Sequence, residues 1–140
     1  MTSDDEKFMR RAIALSEKTS LIDSAGGVFG TVIVLDGEIE AIRNACRKVG
    51  SFKLTGATLY TSAEPCPMCM AASYWAGIDR VFYASTNEDA LEYGDFDDSM
   101  IYGELKKPVH DRSIRCEQIM QDEAVEVWKK YKNKAGRVPY

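Results

Sequence analysis

The most constraining feature of the sequence is a pair of cysteines, Cys66 and Cys69, placed shortly after a predicted strand. The β-rich run 57–61 is followed by a helix-like run that Gly77 ends. Pro67 suits the first helical position, where a missing N–H costs nothing. The two thiols therefore fall on one face at the opening of a helix. Unpaired N–H groups at that end favour the thiolate, which is the form that holds a metal or attacks a disulfide.

Taken alone, the Cys-x-x-Cys spacing leaves three interpretations open: a zinc site, a redox dithiol or a pair of structural thiols. A thioredoxin-like motif also opens a helix after a strand, so the local geometry does not decide between them. Two thiolates are only half of a four-coordinate zinc site, and catalytic zinc normally has three protein ligands. A third ligand must come from elsewhere in the chain.

Composition excludes several classes of protein. A chain of 140 residues with 45% apolar content predicts one domain with its own core. The net charge of −4 argues against a nucleic-acid partner. We find neither a signal peptide nor an apolar stretch of membrane-spanning length, so we expect a cytoplasmic protein with no membrane partner. Such a chain is expected to use its four cysteines as metal ligands and core thiols rather than as disulfides.

Helical and strand patterns alternate along the chain. Ser3 and Glu6 predict a capping box for a first, core-facing helix. The apolar run 28–35 predicts a strand that is central in its sheet. A strand precedes the cysteines, a helix begins at them, and another strand follows at 80–84. This alternation predicts a parallel pair of strands with a right-handed crossover. The remaining predictions are an acidic, turn-rich segment 87–98, a helix 99–107, a last strand 114–120 and a closing helix 122–132.

A local contradiction lies at Asp36-Gly37, a strong two-residue hairpin signal that calls for a second strand. Residues 38–49 instead carry apolar side chains at helical intervals, and they predict an amphipathic helix ending near Gly50. The strand that the turn requires is missing from the sequence.

The run 64–69, Glu-Pro-Cys-Pro-Met-Cys, resembles the zinc-dependent cytidine/deoxycytidylate deaminase superfamily. In that superfamily P-C-x-x-C supplies two zinc thiolates, and an upstream H-x-E supplies an imidazole and a proton-shuttling carboxylate. The resemblance covers nearly the whole chain and points to the guanine deaminase branch. Segments similar to that branch are 26–30, 38–43, 59–62, 74–76, 81–84, 96–99 and the C-terminal Tyr140. The resemblance implies one α/β domain over 1–140, with three α/β/α layers around a mixed sheet, in a homodimer whose C-terminal tails can be exchanged.

On this resemblance Cys66 and Cys69 would ligate zinc, and Glu38 would be the general acid/base. Zinc would lower the pKa of bound water, so that hydroxide attacks the ring carbon bearing the amine. Glu38 would pass a proton to the departing nitrogen, which leaves as ammonia. The substrate would be a small-molecule purine, guanine giving xanthine. The residues that the resemblance places at this substrate are Phe29 beside the base, Asp98 at its polar edge and Tyr140 closing the pocket.

The sequence departs from the family just before Glu38. There the family has His-Ala, preceded by a strand and a loop, and this chain has Asp36-Gly37. Restoring that block at the 37/38 junction would take on the order of 20 residues. Either the sequence joins two segments across residues of a parent protein, or the polypeptide truly lacks a strand and the histidine ligand. We favour the first, because losing a strand would cost more stability than a domain of this size has to spare.

The candidate residues also have structural interpretations. The single histidine, His110, is expected to be a solvated loop residue, and Asp98 could cap the helix that follows it. Cys46 and Cys116 are expected to be small buried hydrophobes, and Trp75 is expected to pack under the cysteine helix or in an interface. Three other functions stay open: deamination of tRNA adenosine or another base, thiol–disulfide exchange, and a catalytically silent oligomeric relative.

Overall fold

The computed structural model describes residues 2–18, 31–32 and 38–136. By the contacts among its Cα atoms, the chain forms two units, Met1–Tyr102 and Gly103–Tyr140. The helices of the described part are α1 (Ser3–Glu17), α2 (Glu38–Val49), α3 (Pro67–Ala76), α4 (Asn87–Gly94), α5 (Ser99–Lys106) and α6 (Gln121–Lys132), with a short 3-10 helix at Val109–Asp111. Its strands are β1 (Thr31–Val32), β2 (Thr58–Ala63) and β3 (Arg80–Ser85).

The three strands form one mixed sheet in the order β1-β2-β3. β1 runs antiparallel to β2 with Thr31 opposite Thr61, and β2 runs parallel to β3 with Leu59 opposite Val81. The parallel pair joined through α3 confirms the predicted strand–helix–strand unit, and the right-handed crossover stays a prediction. The prediction that the strand 28–35 is central was wrong for the described residues: β2 has a neighbour on each side, and five of its six residues are buried. Of that predicted strand, only Thr31–Val32 lie within the described part.

One face of the sheet is covered by α1. Ala12 of α1 packs against Tyr60 of β2, with Leu15 and Phe82 around them. The Phe82 ring stacks on the Tyr60 ring with centroids 5.4 Å apart. Because side chains alternate along a strand, Leu59, which is fully buried, points to the opposite face. Both faces of β2 are therefore covered, as the predicted α/β fold requires.

The capping box of α1 is one residue earlier than predicted. The Thr2 hydroxyl accepts a hydrogen bond from the Asp5 N–H, and the Asp5 carboxylate accepts one from the Thr2 N–H. Asp5 also accepts a hydrogen bond from the Tyr60 hydroxyl at 2.5 Å. This bond to the sheet favours Thr2 and Asp5 over Ser3 and Glu6 as the capping pair.

The helices α2 and α3 pack against each other beside the sheet. A buried cluster lies at this contact, formed by Ile42 of α2, Ala76 of α3 and Leu54, which lies between α2 and β2. The amphipathic pattern predicted over 38–49 is confirmed as α2, and Gly50, at φ +71°, follows it. The helix that begins with Glu38 thus packs on the helix that begins just after Cys66.

Two predictions for the second half of the chain were wrong. The segment predicted to be turn-rich contains α4, because Thr86 and Asp89 form a reciprocal capping box that starts a helix. The predicted last strand 114–120 is irregular, and Ile114 is 78% exposed. A strand needs a neighbouring strand to pair with, and the described residues offer none there. The helices predicted at 99–107 and 122–132 are confirmed as α5 and α6.

The unit Gly103–Tyr140 has no core of its own among its described residues, 103–136, none of which is buried. Val127 and Trp128 of α6 are both largely exposed. Cys116 is exposed and Cys46 half-buried, so the expectation that both are buried hydrophobes was wrong. Within the described residues, no helix is both long and apolar enough to cross a membrane.

Candidate metal and substrate site

The loop between β2 and α3 places both cysteines at the start of a helix. Cys66 is the N-cap residue in an extended conformation, Pro67 occupies the first helical position, and the Met70 N–H donates to the Cys66 carbonyl at 2.9 Å. Gly77 ends α3 in the left-handed conformation, at φ +66°, which only glycine adopts without strain. The predicted strand, proline start and glycine stop are all confirmed.

The sulfur atoms of Cys66 and Cys69 lie 3.4 Å apart and are not bonded to each other. A disulfide would bring them to about 2.05 Å. Two sulfurs bound to one tetrahedral zinc at about 2.3 Å each would be about 3.8 Å apart, which a small side-chain rotation reaches. Cys69 is buried and Cys66 half-buried, so the pair faces a partly enclosed space. The donor pair therefore fits one zinc ion as half of its coordination.

The described residues do not complete that coordination. No group of three His, Cys, Asp or Glu side chains within them could hold a metal ion. His110 has a side chain that is 82% exposed and lies in a short 3-10 helix, which confirms the expectation of a solvated residue. Glu38 is the first residue of α2, but its side chain is outside the described part. Phe29 and Tyr140 lie outside the described residues altogether.

Asp98 is a buried carboxylate at the start of α5. It is 3% exposed, and its Oδ2 atom has no hydrogen-bond partner within the described part of the chain. The neighbouring Asp97 performs the capping role instead, since its carboxylate accepts the Ser99 N–H at 2.9 Å. An unsatisfied buried carboxylate oxygen is costly, so it marks a place where a ligand donor can bind.

Three residues that sequence reasoning missed hold the cysteine loop. The Tyr102 hydroxyl donates to the Pro65 carbonyl at 3.2 Å, and the Glu64 carboxylate accepts the Asn87 N–H at 3.1 Å. Burial and the nearby charge of Asp98 raise the pKa of Tyr102 above its usual value, so its hydroxyl stays protonated. Glu64 is the first residue of the motif, but Tyr102 is separated from Pro65 by 37 positions along the chain, and no local signal links the two.

Trp75 does not pack under the cysteine helix, because its side chain is largely exposed. The alternative expectation, that it lies in an interface, stays a prediction.

Residues 34–85 match the family described as the cytidine and deoxycytidylate deaminase zinc-binding region. Guanine deaminase of Bacillus subtilis (strain 168) is 39% identical over 155 aligned positions, which cover 96% of this chain and 98% of that protein. A tRNA-specific adenosine deaminase of the same organism is 32% identical over 104 positions, covering 59% of this chain and 63% of that enzyme. The X-ray structure of guanine deaminase from Bacillus subtilis superposes with a TM-score of 0.88 at 38% identity, covering 100% of this chain and 99% of the other.

The chain belongs to the cytidine and deoxycytidylate deaminase family, whose zinc-binding region includes both cysteines. Within that family it is similar to the Bacillus guanine deaminase over almost its entire length, and to the tRNA deaminase over little more than half.

The alignment with the Bacillus guanine deaminase also contains a gap. It runs over 155 positions, whereas this chain has 140 residues, so at least 15 aligned positions have no counterpart in it. Their number is close to the length of one strand and one loop.

Proposed function

We propose that this protein is a zinc-dependent aminohydrolase that converts guanine to xanthine and ammonia. The observation that carries the proposal is the pair of cysteine sulfurs 3.4 Å apart, not joined in a disulfide, at the opening of α3, in a chain 39% identical to a guanine deaminase along 98% of that enzyme. The buried Asp98 oxygen, which has no hydrogen-bond partner among the described residues, supports a purine substrate, because a purine edge presents N–H donors to such an acceptor.

In this proposal Cys66 and Cys69 hold the zinc as thiolates. Bound zinc supplies Lewis-acid chemistry that makes water nucleophilic near neutral pH. The Glu38 carboxylate removes a proton from the attacking water and delivers it to the departing amine nitrogen. Asp98 accepts a hydrogen bond from the polar edge of the base and fixes its orientation. Phe29 beside the base and Tyr140 over the pocket would exclude water.

We also propose that a strand–loop block belongs at the 37/38 junction of a single deaminase domain, and that it carries the third zinc ligand, a histidine. The hairpin signal at Asp36-Gly37 and the gap of at least 15 positions support this proposal. If the natural polypeptide truly lacks the block, it would be a catalytically silent relative. The intact mass of the natural protein distinguishes the two, since the 140-residue chain weighs 15.7 kDa and 20 more residues would add roughly 2 kDa.

The proposed assembly is a homodimer with C-terminal tails near each other's sites. Its support is the unit Gly103–Tyr140, whose described residues expose large apolar side chains such as Trp128 and have no core. Sedimentation should give twice the chain mass. Trp128→Glu should shift the measured mass toward that of the monomer, and the control Lys130→Glu should leave it unchanged. A cytosolic location fits the four free cysteines.

Turnover of guanine tests the main proposal. The natural protein, with the proposed strand–loop block in place and zinc bound, should release equal amounts of ammonia and xanthine. Glu38→Gln should abolish turnover while keeping zinc, and Cys66→Ser should lose both; Cys116→Ser is the matched control and should behave as wild type. Full zinc occupancy without turnover of guanine would contradict the proposal.

Two assays address the other candidates. Inosine formation in a tRNA anticodon stem-loop, with guanine left unchanged, would assign the tRNA activity instead. A thiol–disulfide role would require Cys66 and Cys69 to cycle between oxidised and reduced forms. One zinc per chain that resists removal by reductant would exclude that role.

A further inference from the structure

Tyr102 of α5 reaches across to the loop that carries the first cysteine. Its hydroxyl donates to the carbonyl of Pro65, the residue directly before Cys66. Pro65 is completely buried, so this carbonyl is shielded from water and depends on a protein donor. The nearby Asn87 side chain acts on the same hydroxyl in the direction that lowers the pKa of Tyr102, against the larger effect of burial.

The residue before Pro65 is fixed independently of Tyr102. The Glu64 N–H donates to the Ser85 carbonyl at 2.8 Å, and its carboxylate accepts the Asn87 N–H at 3.1 Å. The end of β3 and the start of α4 therefore hold one side of the loop. What they leave undetermined is the orientation of the Pro65–Cys66 peptide, and the Tyr102 hydroxyl bonds to that group.

The same tyrosine is joined to the segment that carries Asp98. The Tyr102 N–H donates to the Asp98 carbonyl at 3.3 Å, one helical turn away. Asp98, Glu64 and Cys66 are all close enough for their charges to act on the Tyr102 hydroxyl. One residue thus contacts both places: the Tyr102 side chain bonds to the backbone before a proposed zinc ligand, and the Tyr102 main chain bonds, within α5, to the backbone of a proposed substrate ligand.

We propose that Tyr102 is a positioning residue that sets the orientation of Cys66 relative to Asp98. The proposal rests on the proposed function for the roles of those two residues, but the hydrogen bond that carries it is independent of metal and substrate. The physical reason is that a site of this kind needs its groups placed within about 0.5 Å, and a metal ligand on a loop gains that precision from the bonds behind it.

Tyr102→Phe tests the proposal, because it removes one oxygen atom and retains the ring. In metal-free protein, we expect Cys66 to be alkylated several-fold faster, as measured by peptide mass spectrometry with the exposed Cys116 as internal reference. In zinc-loaded protein, competition with a chelator should show about 10-fold weaker binding or more. Tyr93→Phe, at an exposed tyrosine of α4, is the matched control and should change neither quantity.

Unchanged Cys66 alkylation together with unchanged zinc affinity in Tyr102→Phe would overturn the proposal. If that variant does not fold, Asn87→Ala leaves Tyr102 in place, and we expect a smaller increase in Cys66 alkylation; no increase would count against the proposal. Failure of the proposed function looks different, since the natural protein with the proposed strand–loop block would then lack zinc or guanine turnover, while alkylation of Cys66 in metal-free protein still reports on Tyr102.

Discussion

At the scale of single residues, the contrast between Asp97 and Asp98 is the most informative. The two carboxylates are adjacent, yet Asp97 is exposed and caps α5 through Ser99, whereas Asp98 is buried with an unpartnered oxygen within the described residues. The hydrogen bonds that the Asp97 carboxylate accepts from Ser99 also lower the pKa of Asp97. Burial of an unsatisfied carboxylate oxygen costs stability, so Asp98 is the one whose position calls for a ligand.

Asp98→Asn should therefore separate function from stability. We expect kcat/KM for guanine to fall about 10- to 100-fold, because a hydrogen bond to a charged group contributes about 1.5–3 kcal/mol. The melting temperature should not fall, since the amide is cheaper to bury than the carboxylate. Steady-state kinetics and a thermal scan measure both effects. Asp97→Asn should leave kcat/KM unchanged, because asparagine also caps helices. Equal losses in the two variants would argue against a substrate role for Asp98.

How far the sequence predicts this site depends on how local each contact is. The two cysteines, the proline start and the glycine stop of α3 lie within 12 residues, and their geometry was predictable from helix chemistry alone. Asn87 meets the loop only after the chain has passed through β3, and Tyr102 only after it has passed through α4 as well. Such contacts depend on tertiary packing, and no spacing in the sequence reports them.

At the scale of secondary-structure elements, the start of α1 is attached to the sheet by one charged group. Asp5 accepts hydrogen bonds from the Tyr60 hydroxyl and the Thr2 N–H, in that order of effect, and they lower its pKa from 3.8 to about 2. A carboxylate with a lowered pKa in the folded state stabilises the fold at pH values above its usual pKa. That contribution is lost as the pH falls from about 4 towards 2.

Tyr60→Phe should make the free energy of unfolding less dependent on pH in the acidic range. We expect the variant to be less stable than wild type at pH 7, and the difference to shrink as the pH falls from 4 to 2. Urea midpoints at pH 7, 4 and 3 measure this. The exposed Tyr93→Phe serves as control and should follow the wild-type profile. A constant difference between Tyr60→Phe and wild type at all three pH values would show that Asp5 ionisation is not the cause.

Gly77→Ala tests how α3 ends. An added Cβ would meet only ordinary contacts, the nearest being Lys53 Cδ at 3.6 Å, so the cost comes from the positive φ of +66°. We expect a loss of about 1–2 kcal/mol in unfolding free energy, measured by urea denaturation. Gly94→Ala in α4 has open space and no positive φ, and it should be neutral or slightly stabilising. Similar destabilisation in both variants would rule out the left-handed conformation as the source.

Helices and strands were predictable from the sequence where the pattern that specifies them lies entirely within the element and its flanking residues. α2, α3 and α6 have apolar periodicity or clear start and stop residues, and they were predicted to within a residue or two. α4 was missed because acidic and glycine residues at 87–98 resemble a turn, while Thr86 and Asp89 supply the cap that makes a helix. The segment 114–120 has strand-like composition, but a strand exists only with a partner strand.

At the scale of the whole molecule, apolar burial is unevenly distributed. The core clusters lie in Met1–Tyr102, where α1 covers Tyr60 and where α2 packs on α3. The described part of Gly103–Tyr140 buries no residue and exposes Trp128 at 68%. Exposed apolar side chains of this kind are a common feature of interaction surfaces, and they are the reason that the proposed homodimer contact is assigned to the second unit.

An insertion at the 37/38 junction tests directly whether the missing block supplies the third zinc ligand. A catalytic zinc site needs three protein ligands, and the described residues supply Cys66 and Cys69 only. We expect the 140-residue chain to bind zinc weakly and to lack guanine turnover. Inserting between Gly37 and Glu38 the strand–loop segment of the Bacillus guanine deaminase should give one tightly bound zinc per chain and restore turnover. The control insert replaces by alanine the histidine that the family resemblance places before Glu38, and it should restore stability without tight zinc binding. Tight zinc binding by the uninserted chain would place the third ligand elsewhere.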